Sequence, residues 1–148
     1  MKPEASHALE RLMQALLTEL MPAVQPAYRQ AGVGIQAMMI AAIREELDRA
    51  AARRFEENRA LRSLFVDAAP AVTDAALRGR LGAAAQGEDA SLLVPDLEAS
   101  NSTLRSLLIE LHAHVEGLAG DAARRIEAAI WRELAASTER RKLGLGPC

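Results

Sequence analysis

Two short segments of the chain repeat the same polar residues at the same spacing. NRALRSLF begins at Asn58 and NSTLRSLL begins at Asn101, and five of the eight positions are identical. An amide on the apolar face of a helix can fix the register or number of its partners, but burying it without a partner costs about 1–3 kcal/mol. We therefore predict a polar layer formed by Asn58 and Asn101, with Arg62 and Arg105 at its rim. In the alternative interpretation, both Asn side chains face water.

The same residues are compatible with a second function. Guanidinium and amide groups that converge between helices can hold an anionic group. A pocket lined by Arg62, Arg105, Asn101 and His112 would make the chain a small ligand-binding or enzymatic bundle. No nucleophile accompanies these residues, because no Ser lies in a Gly-x-Ser-x-Gly turn, and we assign no catalytic residue.

A cluster of possible metal ligands lies close to the second repeat. Ligands on one helix must be three or four residues apart, which allows Glu110 with His114 or His112 with Glu116. His112 and His114 are two residues apart, so their side chains diverge around a helix. We expect a solvated face here, and we predict neither a metal nor any other cofactor.

Composition and charge exclude several classes of partner. The net charge is −2 and the isoelectric point is about 5.9, so we predict no binding to nucleic acid or to an anionic membrane. The uncharged stretch at residues 31–43 is too short for the roughly 20 residues of a bilayer span. The acidic N-terminal segment does not resemble a secretory signal, and the single cysteine, Cys148, leaves no partner for an internal disulfide. We expect a cytoplasmic protein.

One long segment dominates the predicted architecture. Residues 35–69 contain neither Gly nor Pro and predict one helix, which could begin as early as Pro26 if Gly32 and Gly34 are helical. A 35-residue helix is roughly 50 Å long, more than a compact domain of this size is expected to cover. Its apolar first part, residues 35–43, is expected in the core. The part after the charged middle is expected to meet a partner.

The remaining chain predicts further helices. The first would be capped by Ser6 and end near Pro22, a short one would follow Thr73, and residues 82–91 would form a mobile loop. The next would start near Pro95, and the last would follow Asp121. The helix that starts near Pro95 has residues at alternating steps of four and three, the spacing of a coiled-coil seam with one polar layer at Asn101: Leu97, Asn101, Leu104, Leu108, Leu111, Val115 and Leu118.

These elements predict an all-α fold, an antiparallel four-helix-bundle-like single domain over residues 1–148 with one unusually long helix and one short extra helix. We predict a homodimer joined through the later part of the long helix and the Asn101 seam. Its role would be that of a protein–protein interaction or accessory protein without catalytic activity.

Part of the chain is similar to a known group of proteins. Residues 20–47, with their Pro, their apolar helix and the ending Arg44-Glu45-Glu46-Leu47, resemble small uncharacterised helical bacterial proteins. Asp96-Leu97 followed by Asn101 and Leu104 also has a counterpart there. Members are often encoded near phosphotransferase-like and acyl-CoA-dehydrogenase-like enzymes. The resemblance implies an accessory protein, and it transfers no functional residue.

Overall fold

The computed structural model describes residues 4–144, in which all regular secondary structure is helical. Helix α1 (Ala5–Ala15) continues through a π-helical turn (Leu16–Leu20) into α2 (Met21–Ala23). A 3₁₀ turn (Ala27–Arg29) leads into α3 (Gln30–Ala68), which ends in a second 3₁₀ turn (Ala69–Ala71). Helices α4 (Ala75–Gln86), α5 (Val94–Glu116) and α6 (Asp121–Arg141) follow. The predictions of an all-α fold and of one exceptionally long helix are confirmed.

The long helix begins at the earlier of its two possible starts. Pro26 precedes the 3₁₀ turn, and both Gly32 and Gly34 lie inside α3. The helix gives way to the 3₁₀ turn just before Pro70, close to the predicted end at residue 69. Proline fixes both boundaries because it lacks the amide hydrogen that a continuing helix needs.

The chain forms two compact units, residues 4–50 with 143–144 and Ala51–Lys142. In the first, the Ser6 hydroxyl donates to Asp48 at 3.0 Å, and Arg44 pairs with Glu10 at 3.4 Å. The contacts ascend along α1 while they descend along α3, so the two segments form an antiparallel hairpin. Ser6 therefore does not cap α1 as predicted. Glu4 precedes that helix.

The prediction that residues 35–43 lie in a core is wrong. A two-helix hairpin covers only one side of each helix, and the covered side of α3 carries Val33 and Ala37, which are 8% and 2% exposed. Five other apolar side chains between Ile35 and Leu47 are 50% to 58% exposed. We call these the α3 stripe, and they are Ile35, Met38, Met39, Ile43 and Leu47.

The second unit contains the hydrophobic core of the described chain. It is built from the later part of α3 together with α4, α5 and α6, and Phe65, Leu81, Leu111 and Ile130 are fully buried. The predicted α5 seam is buried from Leu97 to Val115, and Leu118 packs against the same core. Trp131, on α6, is 56% exposed and lies outside this core.

This core corrects the predicted dimer surface. Leu61 and Phe65, in the later part of α3, are 1% and 0% exposed because helices of the same chain cover them. Asn101 is equally inaccessible, at 1%. A second copy cannot pack on this face of α3 or on the Asn101 seam while the unit is folded.

The start and end of α4 also differ from prediction. Asp74 rather than Thr73 caps the helix, and its carboxylate accepts hydrogen bonds from the amides of Ala76 and Leu77 at 2.8 and 3.1 Å. The helix extends to Gln86, so it includes the first half of the predicted loop at residues 82–91. The cost of Gly79 and Gly82 in a helix is only about 1 kcal/mol each, which packing of Leu81 in the core offsets.

Candidate functional site

The two repeated Asn residues contact each other inside the second unit. Asn101 Nδ2 donates to Asn58 Oδ1 at 2.9 Å, and the residues are 1% and 0% exposed. One turn earlier Arg54 pairs with Glu98, so partners advance together and α3 and α5 run parallel here. The two copies of the repeat consequently lie side by side in register.

A buried carboxylate from the α4–α5 connection completes one end of this layer. Asp89 Oδ1 accepts from Asn58 Nδ2 at 2.9 Å, from Arg62 Nη2 at 2.8 Å and from the Ser100 hydroxyl at 2.8 Å. Its side chain is only 4% exposed. Arg62 and Asp89 make a single short contact. Arg62 Nε and Asp89 Oδ2 are buried without a hydrogen-bond partner among residues 4–144.

A second buried carboxylate lies at the other end. Glu57 Oε1 accepts from Arg105 at 2.5 Å, and Glu57 Oε2 accepts from Arg141 at 2.7 Å. Arg141 also reaches Asn101 Oδ1 at 3.5 Å, which links α6 to the Asn pair. The result is one continuous hydrogen-bonded chain from Asp89 through the two amides to Glu57. From here on, the name polar layer refers to this whole hydrogen-bonded chain of side chains.

The electrostatics keep both carboxylates ionised. Burial by itself would raise the pKa of Glu57, but hydrogen bonds and charges from Arg141 and Arg105 outweigh it and hold that pKa below its usual range. Burial would also raise the pKa of Asp89, but hydrogen bonds from Arg62, Ser100 and Asn58 outweigh it, so the pKa of Asp89 is lowered. The layer therefore pairs each negative charge with arginine at neutral pH.

This arrangement has consequences for the predicted anion pocket. Arg62 and Arg105, the two candidate ligands, each donate to a carboxylate of the chain itself. An external anion would have to displace Asp89 or Glu57 from a buried, hydrogen-bonded position. His112 does not join them, since its ring packs edge-on against Trp131 with 5.4 Å between centroids.

The possible metal ligands on α5 are used separately. Glu110 forms an ion pair with Arg80, and His114 Nε2 accepts from the Thr73 amide at 3.3 Å, which positions the start of α4. His112 Nε2 lies 3.7 Å from Glu116. Among the residues that the structure describes, no three His, Cys, Asp or Glu side chains converge as a metal site would require. Cys148 lies outside those residues.

Sequence reasoning placed Arg62 and Arg105 at the polar layer but missed its two carboxylates and Arg141. Asp89 belongs to a Gly-rich, polar connection, and Glu57 is part of a charged stretch of α3 that predicts a solvated face. The basic end of α6 also predicts solvation, yet Arg141 contacts the layer. Two buried amides that need partners were the only signal that polar groups had to be supplied from elsewhere.

Comparisons with known proteins add no assignment. No protein-family model matches the chain, and searches of curated proteins and of solved structures gave no match. Within residues 4–144, no helix combines the length and apolar character needed to cross a membrane. Any function must therefore be inferred from the residues of the chain itself.

Proposed function

We propose that the protein is a cytoplasmic helical interaction or accessory protein without catalytic activity, and that it forms a homodimer through the α3 stripe. The observation that carries the proposal is five large apolar side chains on one helix, each at least half exposed. Contiguous apolar surface of this kind is typical of a protein contact, whereas single exposed apolar residues are ordinary.

The size of the stripe supports a moderate affinity. Fully burying a Leu, Ile or Met side chain contributes about 1.5–3 kcal/mol, so covering the exposed half of each contributes about 1 kcal/mol. Five such side chains in each of two copies give about 10 kcal/mol, which exceeds only the lower part of the roughly 4–15 kcal/mol that association costs and so leaves at most a moderate affinity. Leu12, Leu17 and Leu20 of the same unit are also between 37% and 51% exposed.

The chemistry of the stripe is suited to a second copy. Four of the five side chains lie in residues 35–43, which carry no charge, so a twofold axis through that part can bring two stripes together without like charges meeting there. The resemblance to small helical proteins encoded near enzymes is compatible with this accessory role. The alternative, an anion-binding or enzymatic bundle, has less support because Asp89 and Glu57 already neutralise its candidate arginines.

Sedimentation velocity over a concentration series tests the proposal. We expect the wild-type chain to shift from 15.9 kDa towards twice that mass as its concentration rises through the micromolar range. Met39→Glu with Ile43→Glu should leave a folded monomer. The matched control, Ile109→Glu, changes an isolated apolar side chain that is 70% exposed and should leave the dimer intact.

The opposite outcomes are equally clear. A single 15.9 kDa species up to about 100 µM would refute the dimer. Equal loss of association in the Ile109→Glu control would show that the α3 stripe is not the contact. Circular dichroism of each variant establishes that the helices are retained.

A further inference from the structure

A groove separate from the α3 stripe lies within the second unit. It runs between the end of α3 and the antiparallel helix α6, and it encloses about 920 Å³. Leu64 and Ile126 form its floor. Its walls are lined largely by small side chains: Ala60, Ala68 and Ala71 on α3 and the following 3₁₀ turn, and Ala122, Ala129 and Ala136 on α6.

The dimensions of the groove match one α-helix. Ala122, Ala129 and Ala136 repeat every seven residues, a spacing that follows a helix laid alongside, and methyl groups let that helix approach closely. The three positions span about 21 Å at 1.5 Å per residue. A helix of roughly 10 Å diameter sunk halfway over that length displaces about 800 Å³, close to the volume of the groove.

The charged side chains along the groove walls indicate which charges a helix bound there would carry along its edges. Arg125 and Arg132 line the α6 wall seven residues apart, and both are exposed. Neither takes part in an ion pair or side-chain hydrogen bond within residues 4–144, whereas Arg124 next to them pairs with Asp121. Glu133 also lines this wall, but Arg140 offsets its charge. The α3 wall carries the acidic Asp67.

We propose that this α3/α6 groove binds an amphipathic helix of another protein. The helix would present an apolar face of heptad spacing to the alanines and acidic residues seven apart to Arg125 and Arg132. A basic residue on its opposite edge would face Asp67. This function goes beyond the proposed dimer, which uses the α3 stripe and none of these residues.

Two labelled synthetic peptides provide the test. Both are 21-residue helices with the same Leu and Ala heptad face, and they differ only in whether Glu or Lys occupies the edge positions seven apart. Fluorescence anisotropy against the full chain should show the Glu peptide binding about tenfold more tightly, as expected for two rim ion pairs exchanged for two repulsive contacts.

Variants of the groove establish where the peptides bind. The double variant Arg125→Glu with Arg132→Glu should reverse the preference in favour of the Lys peptide. Ala129→Trp, which fills the groove, should abolish binding of both. The matched control Arg124→Glu, on the same helix but outside the groove, should bind like the wild type. Thermal melts followed by circular dichroism confirm that each variant is folded.

Several results would overturn the proposal. These are no binding of either peptide at millimolar protein, equal binding of both by the wild type, or an Ala129→Trp variant that still binds. If Ala129→Trp instead removes self-association in sedimentation, the occupant is a second copy and the proposal of a different partner is wrong. Failure of the α3 stripe variants to change the dimer affects only the proposed homodimer, so the two proposals fail separately.

Discussion

Replacing Asp89 with Ala is the most direct test of the polar layer. Asp89 Oδ1 accepts three hydrogen bonds, and its side chain and that of Arg62 are 4% and 13% exposed. Removing one partner of a buried ion pair leaves an uncompensated charge and typically destabilises a protein by about 3–5 kcal/mol. The alanine variant also removes an acceptor from the Asn58 amide.

Local contacts place the expected loss near the lower end of that range. Arg62 Nη2 keeps a hydrogen bond to the Ser100 hydroxyl at 3.0 Å, and Asn58 Nδ2 keeps one to the Leu97 carbonyl at 3.3 Å. The pair also has a single contact instead of the stronger bidentate geometry. We therefore expect Asp89→Ala to reduce the free energy of unfolding by about 3 kcal/mol.

Urea titration followed by tryptophan fluorescence measures this loss in the relevant unit. Trp131, the only tryptophan, lies on α6 in the same compact unit as Asp89. With a slope of about 2 kcal/mol per molar urea, the midpoint should fall by about 1.5 M without a change in slope. Asp89→Asn, which retains an acceptor but not the charge, should fall between the wild type and the alanine variant.

A matched ion pair on the surface provides the control. Arg80 and Glu110 make two contacts, at 2.9 and 2.5 Å, but their side chains are 54% and 47% exposed. Water and salt screen such pairs, so Glu110→Ala should leave the midpoint unchanged within error. If Asp89→Ala shifts the midpoint no more than Glu110→Ala does, burial does not make the polar layer important and the reasoning is wrong.

The remaining predictions concern the amides and the response to pH. Asn58→Ala and Asn101→Ala should each destabilise the second unit by about 1–3 kcal/mol. The double variant should lose less than the sum of the two, because each single change leaves the other amide without its partner. Additive losses in urea titrations would contradict direct coupling. The pKa of Glu57 is lowered in the folded chain, so stability should be lost as pH falls through that pKa. Glu57→Gln should weaken this loss of stability in acid. Burial raises the pKa of Glu133 because it outweighs the opposing effect of Arg140, so stability should instead fall as pH rises through that pKa. If Glu133→Gln leaves the pH dependence of stability unchanged in mildly acidic buffer, that contribution is excluded.

Helix-forming patterns predicted most of the fold because they depend on neighbours in sequence. The α5 seam and the proline boundaries of α3 follow from spacing and backbone chemistry alone. Helix starts were less reliable. Ser6, Thr73 and Asp74 are all good caps, and the choice among them depends on contacts such as Ser6 with Asp48 and Thr73 with His114, which sequence does not reveal.

The repeated Asn segments show why half of the polar layer could be predicted. Two similar helical segments can place equivalent amides side by side, and both amides require partners wherever they are buried. The carboxylates that complete the layer come from the position 31 residues after Asn58 and from the residue immediately before it. Neither position has a pattern of its own, since an Asp in a polar connection and a Glu in a charged helix are ordinary surface residues.

The two parts of α3 show most clearly what composition cannot decide. Residues 35–43 are apolar on almost every side, so the sequence indicates burial but not which element provides it, and the hairpin covers only the Val33 and Ala37 side. The later part has a narrower apolar face, around Leu61 and Phe65, that is buried in the core formed with α4, α5 and α6. The same chain can bury the apolar surface of one part of a helix and leave that of another part exposed. For this reason the proposed contact with a second copy is assigned to the α3 stripe, where the described chain leaves the apolar side chains at least half exposed.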